Sequence, residues 1–203
     1  MPIARRMAAL VIALFSISGC TGSSALMARA PANAPPPAGA PNVATIVFLR
    51  PNTFAYGQNF RIIDHAGRFV GEALCNAYFV VRPPPGEYVF ILGDEHIDVL
   101  YANLAPGFTY YVNVVPVPGS FAVKAQLKPM RPNEAEWRRL DEYLRDSQVV
   151  PRLDKGQEVV DRDPGLRPLI ERAKKMWAEM PARERPAHSL GPTEGKPLTA
   201  ARP

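Results

Sequence analysis

Between residues 43 and 128 the chain breaks into eight short runs rich in Val, Ile, Phe and Tyr. They are 44–50, 59–64, 68–73, 77–82, 87–93, 97–100, 109–115 and 120–127, separated by turns that contain Gly, Pro, Asn or Asp. Punctuation this frequent leaves no room for long helices, and runs of this length and composition read as strands. In the last run Phe121, Val123, Ala125 and Leu127 alternate with Lys124, Gln126 and Lys128, the period of a strand with one wet face. Phe79–Val81 and Tyr88–Leu92 are apolar on both faces, as central strands covered on both sides should be. Strands joined by turns every 8–12 residues predict an antiparallel β-sandwich over 43–128. This segment carries six basic and six acidic residues and is therefore neutral.

After Pro129 the composition inverts, with 28 charged residues in the last 75. A helix is predicted from Asn133 as N-cap, with Glu136 three positions on. Its apolar stripe is Trp137, Leu140 and Leu144. A second helix is predicted after Asp163-Pro164, with Leu166, Ile170, Ala173 and Trp177 as its stripe. Both stripes suit packing on the sandwich better than a partner's face. This helical extension spans 129–180, and the polar, proline-rich stretch 181–203 is expected to be a disordered tail.

Residues 1–19 have the form of an export signal. Arg5 and Arg6 precede an apolar run from Met7 to Ile17, and small residues lead to Cys20. That run is 11 residues long, against about 20 for a membrane-spanning helix. Residues 20–42 are nearly all Ala, Pro, Gly and Ser and predict an extended disordered linker, reaching roughly 60 Å at about 3.1 Å per residue. Removing the leader leaves 22 basic against 19 acidic residues, a net charge of +3. With no dense Lys/Arg stripe, that charge argues against nucleic acid as a partner.

Ile17-Ser18-Gly19-Cys20 resembles the lipobox of bacterial lipoproteins, with Ile17 where that motif most often has Leu. The resemblance implies that Cys20 receives a diacylglyceryl thioether and becomes the acylated first residue of the mature protein. Burial of each acyl CH₂ is worth roughly 0.8 kcal/mol, so several long chains make a firm membrane anchor. The plainer alternative is an ordinary signal cut near Ala28-Arg29-Ala30, with Cys20 incidental. With Cys20 acylated, no intramolecular disulfide can form, and Cys75 reads as a small buried core residue.

The stretch GRFVGEALCNAYFVVRPPPGEYVFILG, followed by LAPGFTYYVNV, resembles a family of bacterial lipoproteins classed as a domain of unknown function. The likeness rests on Gly71, Tyr78, Phe79, Pro84, Pro85, Gly86, Pro106, Gly107, Tyr110 and Tyr111. It implies a small β-sandwich akin to prealbumin-like and PEGA-like modules, in a Gram-negative host. Thr21 after the cysteine, rather than Asp, then favours the outer membrane, facing the periplasm. These are scaffold residues and bring no catalytic residue with them.

No phosphate-binding glycine loop, nucleophile elbow or Cys-x-x-Cys pair occurs. Asp94, His96 and Asp98 would share one strand face, but neighbours two apart lie about 6.6 Å from each other. Metal bonds of about 2.0–2.2 Å make them poorly convergent ligands. If Ile97 and Val99 face the core, these three face water. His65 falls in a hairpin turn and His188 in the tail, and neither is spaced to serve Cys75. The sequence therefore assigns lipidation to Cys20 and no catalytic, cofactor or metal site. It points to a membrane-anchored envelope lipoprotein whose sandwich binds an envelope protein or plays a structural role. Two alternatives stay open: an envelope hydrolase or thiol enzyme using Cys75, and a small-ligand or glycan binder using Phe54, Tyr56 and Tyr101.

Overall fold

The computed structural model describes residues 23–28, 30, 39–93, 96–120 and 122–198. The eight runs all form strands: β1 (Thr45–Arg50), β2 (Phe60–Asp64), β3 (Phe69–Ala73), β4 (Ala77–Val81), β5 (Gly86–Leu92), β6 (Asp98–Leu104), β7 (Phe108–Val117) and β8 (Lys124–Met130). Three helices follow, α1 (Leu140–Asp146), α2 (Lys155–Asp161) and α3 (Leu166–Glu179). Short strands β9 (Gln148–Val149), β10 (Ser189–Leu190) and β11 (Lys196–Pro197) lie among and after them. No helix among the described residues is long and apolar enough to cross a membrane.

The first sheet runs β11-β7-β1-β4-β9, with β8 also paired to β7, and the second runs β10-β6-β5-β2-β3. The expected antiparallel pairing holds only in part, because both sheets are mixed. β1 lies parallel to β7, with Phe48 opposite Val112, and β4–β9 and β10–β6 are parallel as well. Short turns force antiparallel neighbours only where consecutive strands join. These three pairs unite strands distant in sequence and escape that constraint.

Between the sheets, Phe48 stacks on Phe79 and meets Phe90 edge-on, both at 5.2 Å between ring centroids. Gly71 on β3 leaves room for this cluster, since a Cβ there would lie 2.5 Å from the Phe79 ring. Every residue of β1 is buried. Its outward-facing Val47 and Leu49 join Tyr78, Tyr111, Met130 and Leu140, with Trp137 and Leu144 packed against them. The first predicted stripe thus covers the outer face of the first sheet. The second stripe packs too: Ala173 is buried, Leu166 and Ile170 abut the core, and Trp177 stacks on Tyr101 of β6 at 5.5 Å. In β8, Ala125 and Leu127 are buried while Lys124, Gln126 and Lys128 are exposed, as the alternation predicts; Phe121 lies outside the described residues.

Four expectations about chain ends and helices are corrected. Among the described residues there are three α-helices rather than two; the additional one, α2, packs against β3 through Gly156, where a Cβ would approach the Phe69 ring to 2.2 Å. The first helical segment does not start from an Asn133 cap. It begins as a 3₁₀ turn at Glu136–Arg139, and the Glu134 carboxylate, 3.2 Å from Arg131, closes the turn ahead of it. Residues 181–198 are not a disordered tail but contribute a 3₁₀ turn (Arg185–His188), β10 and β11, with β10 in the second sheet and β11 in the first. The linker is also partly docked. Leu26 and Met27 are buried, Met27 bridges to Arg152, and the Ala28 N–H donates to Pro151 at 2.7 Å. Of the rest of 20–42, residues 20–22, 29 and 31–38 lie outside the described residues, as does the leader.

Candidate functional site

β8 forms an edge of the first sheet: one side pairs with β7, and no described strand pairs with the other. An open edge is a template for another chain unless something blocks it. Here Asp98, the first residue of β6 in the opposite sheet, reaches across, and its Oδ2 accepts the Leu127 N–H. Two positions on, at the next residue with the same outward orientation, Pro129 has no N–H to offer. The edge is therefore closed to strand addition at both positions.

Asp98 is 6 % exposed. Its Oδ1 lies 3.3 Å from His188 Nδ1, and that nitrogen is 3.1 Å from the Val99 carbonyl oxygen. Two acceptors around one ring nitrogen require that it carry the proton. Burial raises the pKa of the Asp98 carboxyl; the Leu127 N–H and the His188 ring pull the other way. The expectation that Asp94, His96 and Asp98 face water together does not survive. His96 is exposed in the loop ahead of β6, Asp98 is buried against the histidine of the C-terminal turn, and Asp94 and Glu95 lie outside the described residues. Among the described residues no group of acids, His and Cys is arranged to hold a metal.

Beside this pair opens a cleft of about 440 Å³, walled by β8 on one side and by Ala187 and His188 on the other. Arg131, Glu134 and Glu136 line its rim. Arg131 is already committed: it is 2.8 Å from Glu194 and 3.2 Å from Glu134, and it donates to the carbonyl oxygens of Pro186 and Ser189. Glu194 in turn accepts the Gly191 N–H at 2.7 Å. Outside the cleft, the hydroxyl of the buried Tyr110 donates to the Pro192 carbonyl oxygen at 2.7 Å and accepts the Ala105 N–H at 2.8 Å. Asp98, Arg131 and Tyr110 thus fasten the C-terminal segment across the two sheets. The cleft wall offers charge of both signs but no hydroxyl or thiol.

The other candidates fall elsewhere. Cys75 is fully buried, its Sγ 3.6 Å from the Asn52 carbonyl oxygen. His65 lies in the β2–β3 turn, where its Nδ1 accepts the Val89 N–H at 3.3 Å. The three aromatics considered for ligand binding separate. Tyr101 is engaged by Trp177, whereas Phe54 and Tyr56 stand exposed in the β1–β2 loop. Cys20 lies outside the described residues, but the chain meets the domain soon after it. Asn59 Nδ2 donates to the Ser23 carbonyl at 2.9 Å, and Ser24 Oγ pairs with Glu72. Sequence reading missed the Asp98–His188 pair and the Arg131 clamp, because no periodicity links single residues so far apart in the chain. Comparison with protein-family models, with curated proteins and with solved structures finds no match in any of the three.

Proposed function

We propose that this protein is a bacterial envelope lipoprotein, acylated at Cys20, whose sandwich is a non-catalytic binding or structural module held at the outer membrane and facing the periplasm. The observation that carries this reading is the burial of Leu26 and Met27 in the core. A signal cut near Ala30 would remove both, along with the bonds of Ser23 and Ser24 to the domain. A cut before Cys20 keeps them, and that is where the lipobox resemblance puts the processing site. The thiol-enzyme alternative draws little support from a fully buried Cys75, and the cleft wall offers a hydrolase no serine, threonine or cysteine nucleophile, only carboxylates, Lys128 and His188.

Mass spectrometry of the mature protein tests the anchor. The expected N-terminus is an acylated Cys20, and a Cys20→Ser variant should lose the lipid and leave the membrane fraction. An unmodified N-terminus downstream of Met27 would overturn the reading. Crosslinking in intact cells then separates a binding module, with recurrent envelope protein partners, from a structural one.

A further inference from the structure

The β1–β2 loop, residues 51–59, is held with unusual firmness for a surface loop. Arg50 is fully buried at its root. Its guanidinium donates to the carbonyl oxygens of Phe54 at 2.7 Å, Ala55 at 2.9 Å, Gln58 and Ala73, and lies 4.8 Å over the Phe60 ring. Ala55 takes a left-handed backbone with φ +57°, and the Gln58 N–H closes the turn onto Ala55 at 3.0 Å. Burying a guanidinium is unfavourable unless its donors are paired. Here Nη1 and Nη2 make four bonds to backbone carbonyls, while Nε is left without a hydrogen-bond partner among the described residues. Those bonds hold the backbone of a tip from which Phe54 and Tyr56 stand 48 % and 49 % exposed. A loop backbone already held in place loses little entropy on binding.

The same loop marks where the chain leaves the domain toward its N-terminus, since Asn59 grips Ser23. From Ser23 back to Cys20 is three residues, a reach of at most about 11 Å even when fully extended. An acyl group on Cys20 therefore brings this end of the sandwich to within a headgroup layer's distance of the bilayer.

We propose that Phe54 and Tyr56 bed into the interfacial layer of the membrane that holds the Cys20 lipid, fixing the sandwich with its β1–β2 end down. This rests on the anchor reading above. Tyr56 has the apolar body and polar tip that suit the headgroup level, and Phe54 supplies a wholly apolar ring for the acyl boundary just beneath it. The loop adds a second attachment beside the lipid and turns a swivelling tether into a defined orientation.

The test uses the full chain, processed and acylated at Cys20, in vesicles of phosphatidylethanolamine and phosphatidylglycerol. Nitroxides are placed singly by Phe54→Cys and Tyr56→Cys, with Val159→Cys, exposed on α2, as the reference. Cys75 stays buried and unlabelled in correctly folded protein, which checks each variant. The expected result is a higher ratio of oxygen to nickel-chelate collisions at 54 and 56 than at 159. Labels at 54 and 56 as aqueous as 159 on acylated, vesicle-bound protein would overturn the docking and leave the anchor standing. Labels immobilised only when peptidoglycan or an envelope extract is added would overturn it in favour of a partner in the aqueous phase. A chain without acyl at Cys20 would overturn both.

Discussion

Asp98 and His188 meet at 3.3 Å across the edge of the sandwich, joining the first residue of β6 to the 3₁₀ turn near the end of the chain. The carboxylate also satisfies the Leu127 N–H, so one side chain ties both sheets to the C-terminal segment. Asp98→Ala should lower stability by about 1–3 kcal/mol, the usual cost of a buried donor left unpaired. Asp98→Asn, which keeps an acceptor, should lose less.

The pH dependence has a defined sign. Burial raises the Asp98 pKa above the ordinary aspartate range. The folded state therefore holds a proton that the unfolded chain releases at about pH 3.9. The associated stability is fully present below that pH and is lost as pH rises through the folded value. Thermal midpoints of wild type relative to Asp98→Asn should fall as the pH is raised from acid toward neutral. A constant difference would count against the assignment.

Tyr111 gives the corresponding effect at alkaline pH. Its phenol, sealed between the first sheet and α1, is pushed up to about 12 by burial, with the nearby Asp141 and Tyr78 adding to it. A raised tyrosine stabilises the fold below its unfolded pKa of about 10 and ceases to do so as pH climbs through the folded value. Circular dichroism should show Tyr111→Phe resisting alkaline unfolding better than wild type.

Gly71→Ala would place a methyl 2.5 Å from the Phe79 ring. The expected cost is about 1–3 kcal/mol, typical of overpacking. Phe79→Leu in the same chain should recover part of it, so a denaturation double-mutant cycle should give a favourable coupling. An additive cycle would mean that the two side chains do not compete for one space.

Arg131→Ala removes the clamp on Pro186, Ser189 and Glu194. Hydrogen exchange should then rise through residues 186–198 while the β1, β4 and β7 amides stay protected. Arg131→Lys should restore only part of the protection, because an ammonium cannot reproduce the guanidinium fork.

The strands were legible because composition and turn residues act locally. All eight runs appear, with ends shifted by a few residues, and the Lys124/Gln126/Lys128 face is wet as its alternation requires. Parallel pairing of β1 with β7 was not legible, since nothing in either run encodes the direction of a neighbour so distant in the chain. The C-terminal segment misled for a different reason. Low apolar content predicts disorder when order must come from burial, yet here only Leu190 buries a large apolar side chain, Gly195 fits against Tyr110, and the rest is fastened by Arg131, Tyr110 and His188. The docked Leu26 and Met27 were overlooked in the same way, two apolar residues in a run of Ala and Pro.

β10 and β11 are the last strands among the described residues, yet each completes a sheet begun more than half the chain earlier. A polypeptide emerging N-terminus first delivers β1 well before its parallel neighbour β7, and delivers β6 and β7 before the strands β10 and β11 that pair with them. Non-local pairings of this kind form late and leave strand edges exposed in the meantime. The order of synthesis and the order of assembly therefore run against each other.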